Sequence, residues 1–593
     1  MFGAMLMRLV PLLEFSLWGS DWGEYHHLTD RLVQDGYHAD ENLGWGRAYV
    51  DFPGLFDLTG AAALVTGVST STAMTLIVPC VTAITCLLVA CVVLRLGGSV
   101  MAALIAAGTL ALIFPEVFTN SHPVPGPLGS VLVMGIMLVF ITGDVWRRDE
   151  GVDAERPMML YALLLLLLFI LTVTHHLSLF FVVIILGLSF LLRSAMVVGV
   201  EPQRAFWGLW CVTAALALAT VYWLLVADTF REEVMVDLAG VSGTVLMGLA
   251  WVGLFVMAVL GDHLSRRVKR VLEYPFWGPS QILPAMLAFA TIAAVIIALV
   301  TWYGFPGTDI QPNGEMFRYV IPTIVMFAFL IGSTDVVLRR HGGHVVVAWL
   351  VALVISFLVS SLFNSGVLVP YRHGPYIVEA SAVLIGIGAM HLIALWTPRG
   401  SCGPHPDKME GGRRGRVRCA HFLVVALIAV IALSATAYPP KAVMGNFQEG
   451  TTGSEVGAML WLQGSHPRPG AAPGDLSAGC VVTDHRLSSI SFGIGGQMAT
   501  WDKGGPVLHG GRDDTTWAAL EAMETPHGTR PVTAVVLSDD FRTGAALSQF
   551  DTPRPVEGEA WDKFFAPPFL RIYDGGDVQV FYVVRPLDTT GEL

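Results

Sequence analysis

Long apolar runs fill most of the first 438 residues, and they leave the chain few folds to choose from. Runs long enough to cross a bilayer fall at 2–18, 70–94, 98–114, 127–143, 158–174, 177–193, 206–227, 244–261, 281–301, 320–337, 344–363, 376–397 and 419–438. A span needs about 20 mostly apolar residues, since the hydrocarbon core is about 30 Å thick and a helix rises about 1.5 Å per residue. Backbone groups in hydrocarbon must be satisfied within their own segment, so these runs are expected to be helices. The expectation is a polytopic α-helical membrane protein of about 13 transmembrane helices. The composition agrees, with 54% hydrophobic and only 14% charged residues. A formal charge of −12 excludes nucleic acid as the expected partner, and the seven cysteines show neither a disulfide framework nor zinc spacing. Met1 to Trp18 lacks a small-residue cleavage site and reads as an uncleaved first span.

Alternating the loops between the two sides places Arg95, Arg147, Arg148, Arg266, Arg267, Lys269, Arg270, Arg339 and Arg340 together with most other basic residues. The opposite loops hold only Arg31, Arg47, Arg231, Arg318 and Arg372 before the tail. By the positive-inside rule the first set is cytoplasmic, so Asp21 and everything after Tyr438 face outward. The chain thus divides into a transmembrane part, 1–438, and an extracytoplasmic domain, 439–593, where charges and turn residues become frequent. In that domain Val481–Arg486 and Pro531–Ser538 read as buried strands, and Ser454–Gln463 and Thr515–Met523 as helices. Leu570–Tyr573 and Val578–Val584, joined by Asp574-Gly-Gly-Asp577, read as a hairpin. Together these elements predict a small α/β domain. Gly54–Gly67 is apolar but short and reads as an interfacial helix.

The polar residues of interest gather on the outward face. The first loop, Gly19-Ser-Asp-Trp-Gly-Glu-Tyr25, supplies Asp21 and Glu24; Phe114–Leu128 supplies Glu116, Asn120 and His122. The turn 172–178 supplies His175 and His176, the loop 302–319 Asp309, Glu315 and Arg318, and the loop 364–376 Arg372 and His373. Acids are costly in hydrocarbon, so this density belongs in water or at the interface. A carboxylate can take a proton from an acceptor, two acids with a histidine can hold a divalent ion, and arginine pairs bidentately with phosphate. Each position also has a plain reading. Asp21 would cap the helix Glu24–Gln34, Arg372 would snorkel to headgroups, and Glu315 and Arg318 would pair across a helix turn. Asp484, His485 and Arg486 cannot all line one site while they lie on a strand.

A short first span ending in an acidic motif, a long first outer loop, many spans and an outward α/β tail together resemble the GT-C glycosyltransferase superfamily. That superfamily includes oligosaccharyltransferase catalytic subunits, protein mannosyltransferases and aminoarabinose transferase-like enzymes. The resemblance implies transfer of a sugar or glycan from a polyprenyl-phosphate-linked donor to a protein, lipid or glycan acceptor at the membrane's outer face. It implies Asp21 and Glu116 as catalytic residues and Asp21, Glu116 and His122 as a metal set for Mg or Mn. It implies donor contacts from Arg372, Glu24, His175, His176, Arg318 and Glu315. The oligosaccharyltransferase signature WWDYG is absent; the comparable slot reads Val481-Val-Thr-Asp-His-Arg-Leu-Ser-Ser489. The alternatives are an oligosaccharyltransferase acting on asparagine and a polytopic transporter or lipid flippase. The latter would place its polar groups near the bilayer midplane.

Overall fold

The computed structural model describes residues 1–146, 155–196, 202–234, 243–267, 333–363, 369–396, 437–441, 446–465, 479–547 and 553–585, with isolated positions between 284 and 330. The chain opens with α1 (Phe2–Arg8), a 3-10 turn at Val10–Leu13 and a short strand, β1 (Leu17–Trp18). The first loop then carries α2 (Trp22–Asp35) and α3 (Gly54–Thr66). The helical part continues through α4 (Thr70–Thr82), α5 (Thr85–Arg95), α6 (Val100–Leu112), α7 (Phe114–Asn120), α8 (Pro125–Trp146), α9 (Glu155–Thr174), α10 (His176–Met196) and α11 (Pro202–Leu225). It closes with α12 (Gly243–Arg267), α13 (Gly343–Phe363) and α14 (Gly374–Trp396).

Among the described residues six helices are long and apolar enough to cross a membrane, or seven if the bent pair α6 and α7 is one span. These make the chain an integral membrane protein. Most of each expected span at 281–301, 320–337 and 419–438 lies outside the described residues. The expected first span, 2–18, does not form. Pro11 removes a backbone donor where the run would continue, and Arg8 and Glu14 interrupt its apolar character. The segment becomes a two-turn helix, a 3-10 turn and a strand that pairs antiparallel with β2 (Gly450–Thr451). Arg8 is buried, donating to Ala4 O at 3.2 Å and meeting Glu116 Oε1 at 3.4 Å. The bend of 61° between α6 and α7 falls where Ile113 is extended and Pro115 sits in the first turn of α7.

After β2 come α15 (Gly453–Ser465), β3 (Cys480–Val482), α16 (His485–Gly493), α17 (Asp514–Glu521), the hairpin β4 (Met523–Thr525) and β5 (Gly528–Arg530), then β6 (Val532–Ser538), β7 (Phe569–Asp574) and β8 (Val578–Val583). The four-stranded sheet runs β3-β6-β8-β7, with β3 parallel to β6 and the others antiparallel. The expected hairpin is β7–β8, and Gly576 in its turn has φ +89°, a conformation that glycine adopts without Cβ strain. The expected strand over Val481–Arg486 is shorter than read. It stops at Val482, because the Asp484 side chain accepts from Leu487 N at 2.8 Å and starts α16.

Apolar burial falls into two clusters. One lies among the long helices, around Val133, Met137, Phe181, Trp207, Trp349 and Leu384. The other joins the sheet residues Val481, Val535, Val580 and Phe581 to the first-loop residues Leu17, Trp22, Tyr25, Leu28, Leu55 and Phe56. The first loop and the C-terminal sheet therefore share one core. In α2, Trp22, Tyr25 and Leu28 recur at three-residue spacing and form the buried stripe, and Gly36 at φ +77° ends the helix. Where α2 crosses α16 the backbones touch: a Cβ on Gly23 would lie 2.1 Å from Ser489 O, and one on Gly493 1.9 Å from Gly23 O. This crossing holds the acidic motif against the C-terminal unit.

Candidate functional site

Asp21 occupies the N-cap position of α2, but its side chain does not cap the helix. Its carboxylate instead accepts a 2.9 Å hydrogen bond from His485 Nε2, across 464 residues of chain. A carboxylate only accepts here, so the Nε2 nitrogen carries the proton. Burial pulls the His485 pKa down, but the hydrogen bond and charge of Asp21, with Asp484 and Glu24, outweigh it and leave the group above its ordinary value. The Trp45 ring stands edge-on to the imidazole at 5.4 Å. His485 thus sits between two acids of the first loop and the acid that caps its own helix.

Glu24 is fully buried one turn further on. Its Oε1 accepts from Asn42 Nδ2 at 2.6 Å and Gly46 N at 2.7 Å, while its own N–H donates to Ser489 Oγ at 3.0 Å. Burial, and then the charge of Asp21, raise its pKa to about 7. A Cβ on Gly44 would meet Glu24 Oε1 at 2.2 Å, so glycine is needed for the 42–46 turn to wrap the carboxylate. Glu24, expected as a donor contact, is the anchor of that turn.

Two tyrosines lead onward from the acids. The Tyr25 and Tyr49 rings lie 4.8 Å apart, and Tyr49 is within electrostatic reach of Asp21, Glu24 and Arg372. Arg372 is half-buried in the 3-10 turn Pro370–His373 that leads into α14. His175, between α9 and α10, and His176, the first residue of α10, both feel its charge. His175 Nδ1 is 2.7 Å from Ser178 Oγ, and His176 packs between Phe52 and Phe230 at 5.1 and 4.7 Å. The acidic motif, the tyrosine pair, Arg372 and the histidine pair therefore form one continuous neighbourhood.

Other expected members are engaged elsewhere. Glu116 is fully buried on α7 and is held by Arg8 and Thr85, each at 3.4 Å, and by Asn120 at 2.6 Å. His122 lies 3.5 Å from Glu449, whose Oε2 also accepts from Ser20 N at 2.8 Å. His122 thereby braces the residue beside Asp21. Its Nδ1 donates to Phe118 O at 2.7 Å. Glu315 is an exposed isolated position, and Arg318 and Asp309 lie outside the described residues. Among the described residues no group of three or more His, Cys, Asp or Glu side chains is placed to hold a metal ion. The set Asp21, Glu116 and His122 does not fit a divalent cation, because a guanidinium already neutralises Glu116, an imidazole binds Asp21 and Glu449 takes His122.

Four residues are not marked by the sequence as participants. His485 was set aside as part of a strand, although Asp484 two residues past Val482 is a helix-start signal. Tyr49 and Tyr25 resemble ordinary interface aromatics. Arg8 was visible only as a single charge in an apolar run.

The fold and the site together define a class: a polytopic helical membrane protein whose first-loop acid docks against a C-terminal α/β unit. No protein-family model and no curated protein sequence matches the chain. Among solved structures, the archaeal oligosaccharyltransferase AglB from Archaeoglobus fulgidus, in complex with an inhibitory peptide and a dolichol-phosphate, superposes with a TM-score of 0.59 at 13% identity, over 91% of this chain and 69% of that one. The same A. fulgidus oligosaccharyltransferase, tethered to an acceptor peptide containing the NVT sequon, gives 0.57 at 14% identity, over 91% and 68%. ArnT from Cupriavidus metallidurans bound to undecaprenyl phosphate is a looser likeness, at 0.45 and 12% identity over 98% and 96%.

Proposed function

We propose that this protein is a membrane glycosyltransferase that moves a sugar or glycan from a polyprenyl-phosphate-linked donor to an acceptor on the outer face of the membrane. The observation that carries the reading is a buried first-loop carboxylate and an arginine both within electrostatic reach of Tyr49, whose ring packs on Tyr25. In this reaction Asp21 takes the proton from the acceptor's O–H or N–H as that atom bonds to the anomeric carbon. The bond from that carbon to the donor phosphate breaks, and the polyprenyl phosphate leaves with its new charge against Arg372. A guanidinium pairs bidentately with phosphate oxygens and stabilises the leaving group as charge develops. His175 and His176, both within reach of the Arg372 charge, serve as donor contacts. The chemistry is derived from these groups alone, since the donor set of the expected metal does not fit.

The fold shared with AglB favours a second reading, an oligosaccharyltransferase acting on protein asparagine, although the WWDYG signature is missing here. The full-length protein in nanodiscs is given a panel of polyprenyl-phosphate sugars and is assayed for release of polyprenyl phosphate, with and without a sequon peptide. Release that depends on an acceptor other than the peptide supports the first reading. Glycan on the peptide asparagine supports the second. Movement of donor across the bilayer without release contradicts both and favours a flippase.

A further inference from the structure

We infer that His485 is the positioning residue for the catalytic carboxylate: it reaches from the C-terminal unit to fix the orientation of Asp21. The inference rests on the proposed role of Asp21 as base and names the group that controls it.

Three observations carry it. His485 Nε2 is 2.9 Å from Asp21 Oδ1, with the imidazole almost fully buried. The other ring nitrogen, Nδ1, is buried and has no hydrogen-bond partner, so the polar anchoring of the ring is directed to Asp21. The ring is also held from outside: Asp484 caps α16, His485 N donates to Ala546 O at 2.8 Å, and Trp45 closes the open edge. An imidazole held by its own helix cap and by Trp45, and bonded to one carboxylate oxygen, fixes the orientation of Asp21.

The surroundings leave His485 few other partners. Facing it are Asp21 and Glu24 from α2 and Asp484 from its own helix. The neighbouring charged groups are closed on each other: Arg486 on Glu455 of α15 at 2.7 Å, and Lys503 on Asp502 at 3.7 Å. His26 and His27 of α2 turn to Gly493 O and the Phe492 ring. The Nε2–H bond of His485 holds the Asp21 carboxylate in one orientation.

The test uses the full-length protein in nanodiscs with the same panel of polyprenyl-phosphate sugars. His485→Gln keeps a neutral N–H near the Nε2 position, whereas His485→Leu keeps the bulk and removes the donor. The expected result is a loss in kcat of about 10- to 100-fold for His485→Leu with KM little changed, the range that loss of an orienting partner costs. His485→Gln should retain most of the activity. A His485→Leu variant at wild-type kcat, or Gln and Leu variants equally impaired, would overturn the inference. A second arm does not depend on turnover. In spectra of protein carrying 13C-labelled histidine, with the His485 signal identified by its loss in His485→Gln, Asp21→Asn should shift the imidazole titration to lower pH. An unmoved titration overturns the pairing. If the wild-type protein releases no polyprenyl phosphate from any donor, the proposed function fails and the titration alone decides the Asp21–His485 pair.

Discussion

Asp21→Asn should abolish glycosyl transfer while leaving the protein inserted and folded. The substitution keeps the shape of the side chain and removes its ability to take a proton, and proton transfer by a positioned group typically contributes about 10²- to 10⁴-fold to rate. His485 would then face an amide, a weaker partner than a carboxylate. The cost in stability should be modest, because the α2–α16 crossing is held by apolar packing and by contact between backbones at Gly23 and Gly493. Rates of polyprenyl phosphate release, compared at equal amounts of monodisperse protein, check the expectation. Activity within a few-fold of wild type would remove Asp21 from the reaction.

The largest stability effect is expected at Glu455. Its two oxygens meet Arg486 Nη1 and Nη2 at 2.7 and 2.8 Å, and both side chains are buried. Arg486 follows His485 in α16, so this bidentate pair fixes the helix that presents the imidazole. Removing one partner of a buried pair strands the other charge and typically costs about 3–5 kcal/mol. The electrostatics agree: burial alone would raise the Glu455 pKa, but Arg486 overrides it and holds the group at about 2. Against an ordinary value of 4.5 that shift corresponds to about 3 kcal/mol. Because the folded-state pKa is depressed, this stabilisation is full above the ordinary carboxylate range and is lost as pH falls from there toward about 2. Glu455→Ala should therefore expose the C-terminal unit to protease at temperatures where the wild type resists. Replacing both residues with Leu and Met should recover much of the loss, as apolar groups need no charge partner. Equal protease resistance in wild type and Glu455→Ala would contradict the role given to the pair.

What the sequence made legible follows from how strongly physics marks each feature. Membrane helices announce themselves because hydrocarbon tolerates almost no other backbone, and the runs at 127–143, 158–174, 177–193, 244–261 and 344–363 all lie within observed helices. The β7–β8 hairpin was legible from its Asp-Gly-Gly-Asp turn, and β6 from its β-branched run. The segment 2–18 was misread because hydropathy averages over Pro11 and Arg8, whereas the backbone responds to each singly. In the site, Asp21, Glu24, Arg372, His175 and His176 were legible as polar residues concentrated in loops of one face. Their partners were not. The Asp21–His485 bond spans 464 residues, and no local pattern encodes a contact of that separation. Nor could the sequence show that Glu116 is neutralised by Arg8, since that pairing depends on the first segment folding back instead of crossing.

The most direct test of the account is a structure of the protein with a polyprenyl-phosphate sugar bound. The account predicts the donor phosphate at Arg372, with the anomeric carbon facing Asp21 across the Tyr25–Tyr49 pair and Asp21 still on His485. A donor phosphate lying away from Arg372, or a sugar that Asp21 cannot reach, would contradict it.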